Sequence, residues 1–390
     1  MKQPPGFIDS NFPTHVCKLQ KSIYGLKQAP RQWFQKLTSH LQHFGFRFSR
    51  SDPSLLIFQQ NNIQIFFLIY VDDILLTGND QPTIQSLLHQ LKSTFALKQL
   101  GQASLFLGIQ ISKSTSSYFL HQTHYAEQLL QTANLEDCRS APTPITPSKG
   151  SSDSSDQLFA DPTLYRKLAS SLQYLTITRP DIAFATNRIC QHMHAPTEHH
   201  FKSLKQVLRY VKGTINYGLP LTIGNLQLTS YTDADWASDS EDRKSISGFC
   251  TFLGTTLISW TVKKQPTVAR SSTEAEYRAL AAATTEVLWL RCLIEELQIP
   301  QNSPTKIYCD NTSAISLAKN PIFHARTKHI EIDYHFLRQH LDSGYITIHH
   351  VTSAAQIADV LTKALPIAQF EELRHKLTIR PPNAQFEGVS

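Results

Sequence analysis

Ile63-Gln-Ile-Phe-Phe-Leu-Ile-Tyr70-Val-Asp-Asp-Ile74-Leu-Leu76 places two apolar runs on either side of adjacent carboxylates. The stretch reads as two β-strands joined by a tight turn, with Asp72 and Asp73 at its tip. Adjacent aspartates repel each other and gain nothing from apolar neighbours, so the pair calls for a compensating cation. A divalent metal carrying a nucleotide triphosphate meets that need. An ordinary polar hairpin turn also accounts for the residues, because Asp is a common turn residue. The hairpin alone leaves both readings open.

Working outward, 390 residues suffice for two or three domains, each with its own core. Hydrophobic content of 41% and charged content of 17% describe an ordinary globular protein. A net charge of +6 leans towards a polyanionic partner. Cysteines 17, 138, 190, 250, 292 and 309 form no Cys-x-x-Cys pair and read as reduced thiols in a non-oxidising compartment. His192, His194, His199 and His200 crowd together, yet no histidine has zinc-finger spacing to a cysteine and no His-Glu-x-x-His occurs. They read as solvated or capping histidines. The sequence has neither an apolar run of about 18 residues nor the apolar core of a signal peptide. No membrane partner is expected, and the default location is intracellular and cytoplasmic.

Composition separates the regions. Residues 1–137 mix apolar strands with amphipathic helices. Residues 138–160 contain Ser140-Ala-Pro-Thr-Pro-Ile-Thr-Pro-Ser-Lys-Gly-Ser-Ser-Asp-Ser-Ser155, whose prolines and serines read as a linker or long exposed loop. Residues 161–220 read as helical. Within them Lys202, Lys205, Arg209 and Lys212 recur at helical spacing and form a cationic stripe. The stripe is either a solvated helix face or a seat for a phosphate backbone. Residues 221–366 give strands first, then helices alternating with strands, which is a mixed α/β pattern. Residues 367–390 are a C-terminal tail.

Four acids of the α/β region lie at strand ends or in helices. Asp233 ends the strand in Ser-Tyr-Thr-Asp-Ala-Asp-Trp236, Asp310 ends the strand in Lys-Ile-Tyr-Cys-Asp-Asn311, and Asp359 lies in a helix after the strand from Ile346 to Val351. Glu276 opens a long helix and shares the apolar stripe of Leu280, Ala283, Val287, Leu290, Ile294 and Leu297. A lone acid on that face is costly unless it is paired or metal-bound. Structural roles also fit. Thr273-Glu-Ala-Glu276 matches a capping box, Asp310 can cap the next helix, and Asp359 can complement a helix N-terminus. Asp235 competes with Asp233 for its role. Spacing alone does not join the four.

Lys21-Ser-Ile-Tyr-Gly-Leu-Lys-Gln-Ala-Pro-Arg-Gln-Trp33, Tyr70-Val-Asp-Asp73 and Phe106-Leu-Gly-Ile109 resemble the reverse transcriptase of copia-type LTR retrotransposons. Thr178-Arg-Pro-Asp-Ile182 and Leu208-Arg-Tyr-Val-Lys-Gly-Thr214 resemble its connecting region. Ser271-Ser-Thr-Glu-Ala-Glu-Tyr-Arg-Ala-Leu280, Ile307-Tyr-Cys-Asp-Asn311 and Ala358-Asp-Val-Leu-Thr-Lys363 resemble the ribonuclease H domain of the same polyprotein. The match runs from residue 1 to about 377 in the family's order.

The resemblance implies an α/β chain made of an α+β palm fragment of a right-hand polymerase and a ribonuclease H-like mixed α/β domain. It equates Asp233, Glu276, Asp310 and Asp359 with the ribonuclease H acidic tetrad. It implies two Mg²⁺ ions about 4 Å apart, and an RNA–DNA hybrid or template–primer as partner, read by shape and 2′-hydroxyls. The stripe from Lys202 is expected along the hybrid backbone. The rest of a Pol polyprotein, or a virus-like particle, is a further expected partner.

Two departures from the family pattern stand out. The loop from Thr352 to Ile357 holds no histidine, although His349 and His350 precede it, so no catalytic histidine is assigned. The family's first palm aspartate lies upstream of Met-Lys-Gln-Pro-Pro-Gly, where this chain starts. Asp72 and Asp73 are therefore expected to hold Mg²⁺ weakly, with polymerase activity lost and hybrid ribonuclease activity kept. A catalytically silent or domesticated nucleic-acid-binding remnant is the alternative. An unrelated metal-dependent phosphatase or nuclease leaves residues 1–137 unexplained.

Overall fold

Leu55 to Gly78 folds as a meander because apolar side chains on one face of its strands meet the apolar faces of two helices. The computed structural model describes residues 1–20, 23, 25–115, 117–147, 157–320 and 330–382. They divide into two compact units between Gly101 and Gln102.

The first unit contains α1 (Ala29–Phe44), β1 (Arg47–Phe48), β2 (Leu55–Gln60), β3 (Ile63–Tyr70), β4 (Asp73–Gly78) and α2 (Gln81–Thr94). Its antiparallel sheet has the order β1-β2-β3-β4. Leu37 and Leu41 of α1, Phe58 and Phe67 of the sheet, and Leu87 and Leu91 of α2 share one core. Asp80 starts α2 by accepting a hydrogen bond from the Thr83 N–H at 2.9 Å, which satisfies one of the helix's unpaired N–H groups.

The second unit opens with β5 (Leu105–Phe106), β6 (Ile109–Lys113), β7 (Ser117–His121) and α3 (Thr123–Thr132). Next come α4 (Pro162–Leu175), a 3₁₀ turn at Pro180–Ile182, α5 (Ala183–Gln191), α6 (Glu198–Gly213) and β8 (Leu219–Thr222). Strand β8 pairs with β7, closing a sheet of order β5-β6-β7-β8. That pairing draws residues 102–137, grouped by composition with the first region, into the second unit. Composition reads local sequence and carries no trace of a partner strand about a hundred residues away.

The remaining elements are β9 (Leu228–Asp235), β10 (Ile246–Leu253), β11 (Thr256–Lys264), α7 (Ser272–Glu296), β12 (Thr305–Cys309), α8 (Thr312–Lys319), α9 (Glu331–Asp342), β13 (Ile346–His350) and α10 (Ile367–Lys376). Their sheet has the order β11-β10-β9-β12-β13. The first three strands are antiparallel, while β12 runs parallel to both β9 and β13. This is the expected mixed α/β architecture.

Two segments differ from their expected character. Residues 139–147 pack instead of hanging free: Ala141 N–H donates to the Arg209 carbonyl at 3.1 Å, and Thr143 is buried. The serine tract at 148–155 lies outside the described residues. In the expected tail, Phe370, Leu373, Leu377 and Ile379 join the core of α4 and α6, and 383–390 lie outside the described residues. Among the described residues no helix is long and apolar enough to cross a membrane.

Candidate catalytic carboxylate cluster

Parallel pairing sets the site. Tyr308 of β12 lies opposite Tyr231 of β9, so Asp310 just beyond β12 reaches the level of Asp233. Asp233 is fully buried and Asp359 and Glu276 nearly so, whereas Asp310 is half-buried. Helix α7 contributes Glu276 from its first turns.

For Glu276 and Asp310 the capping alternatives fall away. Ser271, not Thr273, caps α7, accepting from the Glu274 N–H at 3.2 Å, and Glu274 in turn accepts from the Arg270 N–H at 2.8 Å. Glu276 has no capping duty. Asn311 caps α8, accepting from the Ala314 N–H at 2.9 Å, which releases Asp310. Asp359 sits in a 3₁₀ helix, Ile357–Leu361, rather than in an α-helix.

Glycine admits that 3₁₀ segment. Gly248 lies opposite Asp233 in the β9–β10 ladder. A Cβ there would lie 2.8 Å from both Leu361 Cβ and Thr362 Cγ2. The absent side chain lets residues 359–363 lie against the sheet and reach Asp233.

Thr362 Oγ1 donates to Asp233 Oδ2. Lys363 Nζ donates to Asp233 Oδ1 at 3.0 Å and to Asp359 Oδ1 at 2.9 Å. Ser353 Oγ donates to Asp310 Oδ2 at 2.9 Å. Glu276, Cys309 and Asp310 offer ligand atoms within 4.8 Å of one another.

Electrostatics follow from burial and crowding. Burial, then the charges of Asp233 and Asp310, push the Glu276 carboxyl up to about 9. Burial and then Asp233 raise Asp359 to about 7, against the pull of Lys363. Burial alone would lower Lys363, but Asp233 and Asp359 outweigh it and hold the ammonium charged. Crowded carboxylate oxygens suit a hard divalent cation, so the donor set fits Mg²⁺, with the Lys363 ammonium competing for Asp233 and Asp359.

The sign of the pH dependence follows. Both carboxyls hold protons more tightly in the folded chain than in the unfolded one, so stability falls as pH rises from the ordinary carboxylate range towards 7 and then 9. In a chelator the melting temperature should drop between about pH 5 and about pH 9. Mg²⁺ competes with those protons, so the rise in melting temperature it causes should be larger at about pH 8.5 than at about pH 6. Thermal melts in chelator and in Mg²⁺ check both slopes.

The other expected residues lie elsewhere. Asp72 and Asp73 are exposed at the β3–β4 tip, where Val71 adopts a φ of 50° and its carbonyl accepts from Trp33 Nε1 at 2.8 Å. Among the described residues, no third acid joins them in a three-ligand group. Lys202, Lys205, Arg209 and Lys212 share the face of α6 opposite its buried Leu204, Val207, Leu208 and Val211. His200 plays a capping part, accepting from the Thr197 N–H at 3.1 Å. His349 and His350 are exposed at the end of β13.

Lys363, Thr362, Ser353 and Gly248 were not singled out from sequence. Only Lys363 carried a readable signal, its i, i+4 spacing from Asp359.

The family described as "Reverse transcriptase (RNA-dependent DNA polymerase)" matches residues 1–147. The retrovirus-related Pol polyprotein from transposon RE1 of Arabidopsis thaliana is 45% identical over 98% of this chain and 26% of its own length. The corresponding polyprotein from transposon TNT 1-94 of Nicotiana tabacum is 36% identical over 95% of this chain and 29% of its own. The chain thus spans about a quarter of the length of these curated relatives. The N-terminal RNase H domain of Rv2228c from Mycobacterium tuberculosis, solved as a fusion with maltose-binding protein, is 14% identical. That alignment covers 38% of this chain and 97% of the solved one, with a TM-score of 0.27. Similarity over nearly the whole of this chain to part of the plant polyproteins decides the assignment: the chain belongs to the copia-type retrovirus-related Pol polyproteins.

Proposed function

We propose that the chain hydrolyses RNA in RNA–DNA hybrids in a Mg²⁺-dependent reaction centred on Asp233, Glu276, Asp310 and Asp359. The observation that supports this most is the convergence of four acids from β9, α7, the end of β12 and the 359–363 segment, with Lys363 between two of them. Bound metal supplies an activated water and charge neutralisation at the leaving oxygen. The chain's own residues shape the rest. Thr362 and Ser353 orient Asp233 and Asp310. Glu276 gives up a tightly held proton before it acts as a ligand. Lys363 keeps Asp233 and Asp359 close and supplies positive charge beside the reacting phosphate.

The cationic face of α6 supplies sequence-independent phosphate contacts to the hybrid or a template–primer. The remainder of a Pol polyprotein is the proposed assembly partner. Asp72 and Asp73, open to solvent and without a third acid among the described residues, are proposed as a weak metal seat that does not sustain polymerisation. A silent nucleic-acid-binding remnant is the second reading. Lys363 favours it, because the ammonium already balances two carboxylates without metal.

The test is a panel of end-labelled duplexes of one sequence incubated with the purified chain in Mg²⁺. The expected result is cleavage of the RNA strand of the hybrid, with RNA–RNA and DNA–DNA duplexes left whole and all cleavage stopped by chelator. Equal cleavage of RNA–RNA, or activity in chelator, overturns the reading; binding without cleavage favours the remnant.

A further inference from the structure

Away from the carboxylates, the second unit contains a cavity of about 630 Å³ whose lining includes Arg139, Lys202, Lys205, Gln206 and Arg209. Four of these are cations, and among the described residues no carboxylate contributes to the wall. Helix α6 forms one side and residues 139–142 the other.

The second side is held in place. Arg209 Nε donates to the Arg139 carbonyl at 2.7 Å, Ala141 N–H returns a bond to the Arg209 carbonyl at 3.1 Å, and Gln206 Nε2 donates to Thr146 Oγ1 at 2.6 Å. Gly213 permits the close approach, since a Cβ there would lie 2.8 Å from Ser140 Cβ. Lys205 Nζ stands 4.9 Å from the Phe201 ring centre.

The cavity therefore collects positive charge, which an anionic occupant would balance. Lys202 and Arg209 are about 10 Å apart along the helix axis, comparable to about three nucleotides of a strand at about 3.4 Å each. A polymeric anion matches that span better than a compact one. The opposite face of α6 packs into the core that holds Val360 and Leu361, next to Asp359. The cavity thus opens on the side of α6 turned away from that core.

We infer that this cavity seats consecutive phosphates of a nucleic-acid strand, with Arg139 completing a site that Lys202, Lys205 and Arg209 begin. Lys212, on the same helix face, lies outside it. The seat deepens the proposed role of the α6 face but does not depend on hybrid cleavage.

A fluorescein-labelled single-stranded DNA, which a hybrid ribonuclease does not cut, tests it by fluorescence anisotropy across a salt series. Arg139→Gln and Lys205→Gln should each weaken binding several-fold and reduce the slope of log affinity against log salt by about 0.7. Arg139→Lys and Lys205→Arg should keep the parental slope, which separates lost charge from lost fold. Lys167→Gln, on exposed α4 surface, should also keep it. Parental slopes in both Gln variants, or no binding of the strand by the parent, overturn the inference. Displacement of the strand by an equal concentration of ATP overturns it in favour of a compact anion. Altered slopes together with a parent that cleaves no hybrid sink the ribonuclease reading and leave this site standing.

Discussion

Asp233→Asn should reduce hybrid cleavage about 10²- to 10³-fold while leaving hybrid affinity and melting temperature close to parental. Metal-held charge contributes several kcal/mol to the transition state, and each tenfold in rate is about 1.4 kcal/mol. Asp233 is central because it bonds both Thr362 and Lys363 and its charge raises Glu276 and Asp359. Asparagine keeps the shape: its one carbonyl oxygen can still accept from Lys363, and its amide NH2 then faces the Thr362 hydroxyl, which can rotate to accept. Lys363 also retains Asp359 at 2.9 Å, so the ammonium is not stranded. A second readout follows from the same charge: the Glu276 carboxyl should titrate at lower pH in the variant, visible by carboxyl ¹³C NMR. A parental Glu276 titration would show that Asp233 does not act on it as the geometry requires.

Arg179→Met should cost the second unit about 3–5 kcal/mol, the penalty for breaking a buried ion pair from one side. Arg179 is 1% exposed. Its Nε and one terminal nitrogen donate to the two oxygens of Asp181 at 2.9 and 2.8 Å, and it reaches the Thr214 carbonyl at 2.7 Å. Tyr210 Oη donates to Asp181 at 2.6 Å, and Arg374 donates to Tyr210 at 3.2 Å. Removing the guanidinium leaves Asp181 as a buried charge with Tyr210 as its remaining donor in this network. Chemical denaturation should show a lower midpoint with an unchanged slope. A loss below about 1 kcal/mol would mean that the network adds little net stability.

That network also explains how Thr178-Arg-Pro-Asp-Ile182 could be legible as a motif and opaque in role. The string identified the connecting region, but its chemistry is structural: it ties the 3₁₀ turn to α6 and α10. Elements with strong local periodicity were readable. The β3–β4 hairpin, α7 and the inward position of Glu276 all follow from apolar spacing. The meeting of Asp233, Glu276, Asp310 and Asp359 was not readable from spacing and entered through family resemblance. It depends on the parallel β9–β12 pairing and on Gly248 opposite Asp233, which are tertiary facts. The pairing of β8 with β7, which closes a sheet begun at residue 105, was unreadable for the same reason. The cationic stripe was visible as a helix face, but not its partner Arg139, which reaches it through a segment that composition marks as linker.

The most direct measurement is cleavage of an end-labelled RNA–DNA hybrid by the purified chain and by Asp233→Asn, side by side in Mg²⁺ at equal fractional binding. The account predicts RNA-strand products from the parent and a loss of about 10²-fold or more in the variant. Products formed at the same rate by both proteins would contradict it.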